Sequence, residues 1–207
     1  VRDAMLPYLS EEFGNSSSKY YCKATNAKNA VEDAREKVAK LLGAEPEEII
    51  FTAGATESSN FIIKGYLDYR KFYGDGRNHV ITSLVEHKAT LNTCKYLNGE
   101  LYSNNDPTTS LFGGKKKVDR GYEASFVGVT PDGEVNVEEI SSFIKENTAL
   151  VSMLYVNNEI GSIQPIEALV KLVKAHNPQT LVHVDAVQAY GKLKFTPKQL
   201  GVDLLSV

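Results

Sequence analysis

Cysteine is scarce in this chain. Of 207 residues only Cys22 and Cys94 are cysteines, too few for a disulfide framework, and neither stands at metal-ligand spacing to any of the four histidines. Both read as reduced thiols, and no metal site is expected. Long apolar runs are also missing, since none reaches the ~20 residues that a membrane-spanning helix requires. The opening VRDAMLPYLSEEF lacks the basic-then-apolar order of a signal peptide, which points to a cytoplasmic protein with no membrane association. Positive charge is not in excess. Lys and Arg number 23 against 26 Asp and Glu, a net charge of −3, whereas binding to a phosphate backbone needs a concentrated surplus of Lys and Arg. A nucleic-acid partner is therefore not expected. A GxGxxG or Walker loop after the first predicted strand is missing too, which counts against a nucleotide-binding α/β domain.

What remains is the composition of an ordinary α/β domain, 42% hydrophobic and 24% charged, large enough for one core. Residues 26–42 carry Val31, Ala34, Val38, Leu41 and Leu42 at helical spacing, and Gly43 supplies a stop. EEIIFTAGATESSNFIIKGYLDYRKFY then reads as strand, glycine turn and helix, and HVITSLVEHKATLNTCKYL repeats the plan. SFVGVT, ALVSMLYV, TLVHVDAV and DLLSV are further strands, with helices predicted in VNVEEISSFI and PIEALVKLVKAH. This alternation predicts a mainly parallel sheet flanked by helices on both faces. In such sheets ligands sit beyond the carboxyl ends of the strands. Thr56, His87, Asn158 and Asp185 all fall at or just after predicted strand ends, so one crevice could collect them. Residues 99–124 depart from the pattern: they are polar, contain NNDPTTS and GGKKK, and are long for a connection within a domain, so they read as an inserted loop.

Four motifs carry chemistry. In TLVHVDAVQAYG a buried strand ends near Asp185. A carboxylate there needs a partner, and a protonated pyridine nitrogen would serve, making the ring a better electron sink. Gln188, three residues on, offers an amide to the ring's phenolic oxygen. The alternative is an Asp that merely caps the next segment. GATES, at residues 54–58, joins strand to helix, so the N–H groups of Ala55 and Thr56 with the Thr56 hydroxyl suit a phosphate dianion. A plain glycine turn with Thr56 as N-cap explains it equally. Glu57 would favour the positive end of the helix. His87 in VEHKATLNTC could lie flat against an aromatic ring and move protons, or be purely structural. VNNEIGS places Asn157 and Asn158 directly after a strand, where an amide can hold a ligand oxygen or form a turn. His79 and His176 look like edge or helix-end residues, and Cys94 like core packing.

In this order the motifs FTAGATESSNFIIKG, VEHKATLNTC, TALVSMLYVNNEIGSIQPI, LVHVDAVQAYGKL and LGVDLLS resemble the cysteine desulfurases, in the class V aminotransferase group of fold-type-I pyridoxal-phosphate enzymes. The similarity runs over nearly the whole chain except residues 99–124. It implies the large cofactor domain of such an enzyme, with residues 1–207 a part of it, cut at both ends, and the small C-terminal domain absent. It implies pyridoxal 5'-phosphate as cofactor, held at its phosphate by Ala55 and Thr56. His87 would stack on the ring and help transfer protons as the catalytic residue, Asn158 and Gln188 would contact the oxygen side, and Asp185 would pair with the pyridine nitrogen. The implied activity is conversion of L-cysteine to L-alanine with sulfur passed to an enzyme cysteine as a persulfide. A homodimer, a sulfur-acceptor protein and iron–sulfur cluster assembly are the partners and setting that go with it.

The departures are specific. The family's lysine that binds the cofactor covalently lies in a Ser-x-His-Lys motif just past the strand begun by LGVDLLS, and this sequence stops at Val207. GNSSSKYYCKA differs from the family's Gly-Asn-Pro-Ser-Ser at Ser16, and Tyr21 stands where a histidine is common. IIFTAG would pair in the family with a strand beyond Val207, so an orphaned strand is expected here. The competing readings are another class V enzyme, a selenocysteine lyase or an aminotransferase, and a non-catalytic fragment of the cofactor fold.

Overall fold

The computed structural model describes residues 1–100 and 118–207. Most of the predicted insertion, residues 101–117, thus lies outside the described residues. The chain forms two compact units, Val1–Phe51 and Thr52–Val207.

In the first unit, α1 (Arg2–Ser10) and α2 (Cys22–Leu42) precede a single 3-10 turn, Pro46–Glu48. The α2 helix ends as its sequence predicts: Gly43 adopts φ 68° and its N–H donates to the Ala39 carbonyl, a left-handed cap that glycine takes without a Cβ clash. Its apolar stripe behaves differently from the expectation. Ala24, Ala27, Ala39 and Leu42 are buried, while Val31 and Ala34 are exposed and Leu41 is 70% exposed. Within this unit α2 packs on the one-turn segment Pro46–Glu48, which is too small to cover a 21-residue helix.

The second unit alternates strand and helix. Its helices are α3 (Ala55–Tyr73), α4 (Lys88–Leu97), α5 (Val137–Ser141), α6 (Ile166–His176) and α7 (Pro197–Leu200). Its strands are β1 (His79–Ser83), β2 (Glu123–Val127), β3 (Thr148–Leu154), β4 (Leu181–Asp185) and β5 (Leu204–Ser206). All pair in parallel, in the order β2-β1-β3-β4-β5. Helices cover both faces, as periodicity dictates. Ile63 and Leu67 of α3 and Cys94 and Leu97 of α4 pack with Val80 and Leu150 on one face. Ile166, Leu169, Val170 and Val173 of α6, at i, i+3, i+4 and i+7, pack with Ile81, Val151 and Met153 on the other. Adjacent strand residues thus serve opposite cores, which is the pleat at work.

Residues 49–54, expected as a strand, form none. A strand exists through its ladder, and no described strand pairs with this segment; Ile50 is 67% exposed. His79, expected near an edge, is fully buried in β1 between β2 and β3, its ring bonded to the hydroxyls of Thr148 (2.8 Å) and Ser125 (2.9 Å). His183 in β4 is held in the same way by Ser152 and Ser206. Burial lowers both imidazoles to about 4, so each stays uncharged in the native fold near neutral pH. No helix among the described residues is long and apolar enough to cross a membrane.

Candidate functional site

From β1 the chain moves to β2 on one side, whereas from β3 it moves to β4 on the other. Connections leaving the carboxyl ends of these two neighbours therefore diverge, and a crevice opens between them. A cleft lies there, lined by Ala55, His87, Ala89, Leu154, Val156, Asn158, Asp185, Val187 and Gln188. Five of the six residues singled out in the sequence share this cleft. Thr56, the sixth, does not line it; it is exposed in the first turn of α3, and its carbonyl accepts from the Asn60 amide.

Asp185 ends β4. It is 8% exposed, and among the described residues its carboxylate accepts one hydrogen bond, from the N–H of Val187 to Oδ1 at 3.1 Å. Burial raises its carboxyl above the ordinary value, against the lowering effects of that bond and of nearby His87. A buried carboxylate so thinly supported suits a cationic partner. Gln188 follows in the turn after β4, with its amide oxygen taken by Lys192 Nζ at 2.7 Å, which leaves the amide N–H groups as its donors.

His87 is the N-cap of α4, and its Nδ1 accepts the N–H of Ala89. Asn158 is exposed in the loop after β3. Its neighbour Asn157 is buried and closes the loop, with Oδ1 accepting the N–H groups of Glu159 and Ile160 at 2.9 and 3.0 Å.

Ala55 opens α3, a 19-residue helix without a side-chain cap at Gly54. Glu57 and Ser58 return their N–H groups to the Gly54 carbonyl, so those of Ala55 and Thr56 stand ahead of the helical ladder and, among the described residues, are open to an anion. Glu57 does more than favour the helix end, because its Oε2 accepts the N–H of Ala53 at 2.6 Å and so braces the preceding turn.

Sequence reasoning passed over Glu86. It is 6% exposed, and its Oε1 accepts from Ser83 Oγ at 2.7 Å and from the Leu154 N–H at 3.0 Å. Burial pushes its carboxyl up to about 8, and the proximity of Asp185 adds to this. Its place directly before His87 was the available signal. Cys94 is buried, and burial pushes its thiol well up, in keeping with core packing.

A cleft that offers a buried acid at the end of β4 and a bare helix N-terminus at the start of α3 fits pyridoxal phosphate, which carries a basic ring nitrogen and a dianionic tail. The chain is 39% identical to the cysteine desulfurase IscS of Rickettsia typhi, with all of this chain and 44% of that protein aligned. Among solved structures, a NifS-like protein matches with a TM-score of 0.83 and 38% identity over 98% of this chain and 49% of its own. SspA in complex with cysteine matches at a TM-score of 0.82 and 33% identity, over 99% of this chain and 52% of its own. The chain thus spans about half the length of these relatives. The family model for aminotransferase class-V matches residues 1–103 and 114–207, leaving out only a stretch inside the predicted insertion. The chain belongs to the aminotransferase class-V family.

Proposed function

We propose that the protein of which this chain is a part is a pyridoxal-phosphate-dependent cysteine desulfurase. Under this reading it converts L-cysteine to L-alanine and leaves the sulfur on an enzyme cysteine as a persulfide. The observation that carries the reading is the shared cleft: Asp185, at the end of β4, and Ala55, at the start of α3, line one crevice together with His87, Asn158 and Gln188. The similarity to IscS and to SspA in complex with cysteine supports the choice of substrate. Residues 1–207 would then be part of the large cofactor domain, the working form a homodimer, and a sulfur-acceptor protein the downstream partner.

Bound pyridoxal phosphate supplies an electron sink for the substrate's α-carbon. The residues of this chain supply the rest. Asp185 holds a proton on the ring nitrogen by charge pairing, which relieves the strain of its own burial. The N–H groups of Ala55 and Thr56, with the Thr56 hydroxyl, receive the phosphate at the positive end of α3. Asn158 and the Gln188 amide orient the oxygen side of the ring. His87, at the cleft wall, packs on the ring and carries a proton at Nε2.

Purification of the full-length protein with pyridoxal phosphate, followed by incubation with L-cysteine and a thiol reductant, tests the reading. Retention of a cofactor absorbance band through dialysis, with alanine and sulfide formed in equal amounts, is the expected result. Loss of all cofactor on dialysis, or turnover of selenocysteine but not of cysteine, would overturn it.

A further inference from the structure

The β1–β3 ladder reaches only to Thr82 and Ser152. Past that point the two strands feed diverging loops, yet the residues that line the cleft, His87 and Asn158, lie further along each chain. Two side chains take over where the backbone pairing stops. Glu86 Oε1 accepts the N–H of Leu154 at 3.0 Å, and Asn157 Nδ2 donates to the Val85 carbonyl at 3.0 Å. One bond runs from the β1 loop to β3 and the other runs back, and each begins or ends one or two residues before His87. Leu154 is in turn paired with Asp185, and the N–H of Tyr155 donates to the Asp185 carbonyl at 2.8 Å.

We infer that Glu86 and Asn157 are positioning residues that hold His87, Asn158 and Asp185 at fixed mutual distances, with Glu86 acting as an uncharged hydrogen-bond acceptor. Both are nearly buried, so water does not compete for their bonds. Among the described residues Glu86 Oε2 has no partner, an arrangement that an ionised carboxylate would tolerate poorly. The raised carboxyl value of Glu86 agrees with a neutral group beneath the site. A neutral Glu86 also avoids placing a second anion beside Asp185, which would compete for any cation bound in the cleft.

This assignment predicts an inversion of the usual conservative ranking. E86Q keeps an acceptor of the right length and no charge, and should behave as wild type. E86D keeps an ionisable carboxyl but falls one methylene short of Leu154, and should behave like E86A. N157D retains the acceptor for Glu159 and Ile160 while losing the donor to Val85, and so removes one cross-link alone.

The experiment uses the full-length protein with two readouts. The first, exchange of the Leu154 amide proton, needs no cofactor. It should stay protected in wild type and E86Q and exchange at least tenfold faster in E86D. The second rests on the desulfurase reading: visible circular dichroism per bound pyridoxal phosphate, with kcat and KM for L-cysteine. E86D and N157D should change the dichroism and lower kcat on the order of 100-fold with KM within about threefold, as expected for misplaced groups, whereas E86Q should restore both. Wild-type behaviour of E86D with failure of E86Q would overturn the inference by making the charge the working feature. Unchanged amide exchange and dichroism in both E86D and N157D would overturn it as well. Should wild type bind no cofactor, the desulfurase reading fails and the exchange data alone decide the clamp.

Discussion

The Nδ1 atom of His87 accepts the backbone N–H of Ala89 at 3.2 Å. A backbone donor at Nδ1 requires an unprotonated nitrogen there, so the ring proton resides on Nε2, and one side chain both caps α4 and serves the cleft.

These two duties can be separated. In H87N the amide oxygen can still cap α4, so the unfolding free energy should stay within about 0.5 kcal/mol of wild type, whereas H87A should lose about 1 kcal/mol. Both should lose 10²–10⁴-fold in desulfurase turnover, the usual worth of a positioned proton carrier. Thermal denaturation and alanine release measure the two effects independently. Equal turnover in H87N and wild type would remove His87 from the chemistry.

At Asp185 the expected effects have opposite signs with and without cofactor. D185N removes a buried carboxylate that has one hydrogen bond among the described residues, so the cofactor-free protein should melt no lower than wild type. Pyridoxal phosphate affinity, however, should fall on the order of 100-fold, as when one partner of a buried charge pair is lost. Melting scans across a cofactor titration report both. Undiminished affinity in D185N would show that the ring nitrogen does not need this acid.

Acid sensitivity should come first from histidine. His79 and His183 have native values near 4 against an ordinary 6.5, so the unfolded chain takes up protons that the native fold refuses. Their stabilisation is fully present above pH 6.5 and is lost as the pH falls from there toward 4. Between pH 7 and pH 5 each should withdraw on the order of 2 kcal/mol. Asp75, lowered to about 2 by its arginine partners Arg70 and Arg77 against the opposing effect of burial, loses its stabilisation only as the pH falls below 3.8. Glu86, raised to about 8 by burial, gains stability over the same window, so the comparison is with wild type. Urea unfolding at pH 7 and pH 5 should show H79N and H183N each losing on the order of 2 kcal/mol less than wild type between the two, whatever their absolute stability, and an unchanged pH dependence would refute the assignment.

Much of this architecture could be read before the coordinates. The helical stripes of α3 and α6, the β-branched strands and the left-handed stop at Gly43 depend on local periodicity, which sequence displays directly. Asp185 and His87 were legible because each sits at a change of period. Strand pairing is another matter. IIFTAG has a strand's composition, but composition says nothing of whether a neighbour exists to complete the ladder, and residues 49–54 lack one among the described strands. The exposure of Leu41 was hidden for the same reason, since a stripe needs a partner of matching size. Glu86 escaped notice because a glutamate beside a histidine reads as a solvated charge until burial and the Leu154 N–H reveal its acceptor role.

The divergence of the β1 and β3 connections also bears on how such a protein can change. Every group that lines the cleft sits on a loop or helix start beyond the strand ends or is a terminal strand residue, while the hydrophobic interior is supplied by strand middles and helix stripes. Substitutions that retune reactivity and those that erode foldability therefore fall on largely separate positions. New specificities can accumulate at the rim of the sheet while the buried framework stays the same.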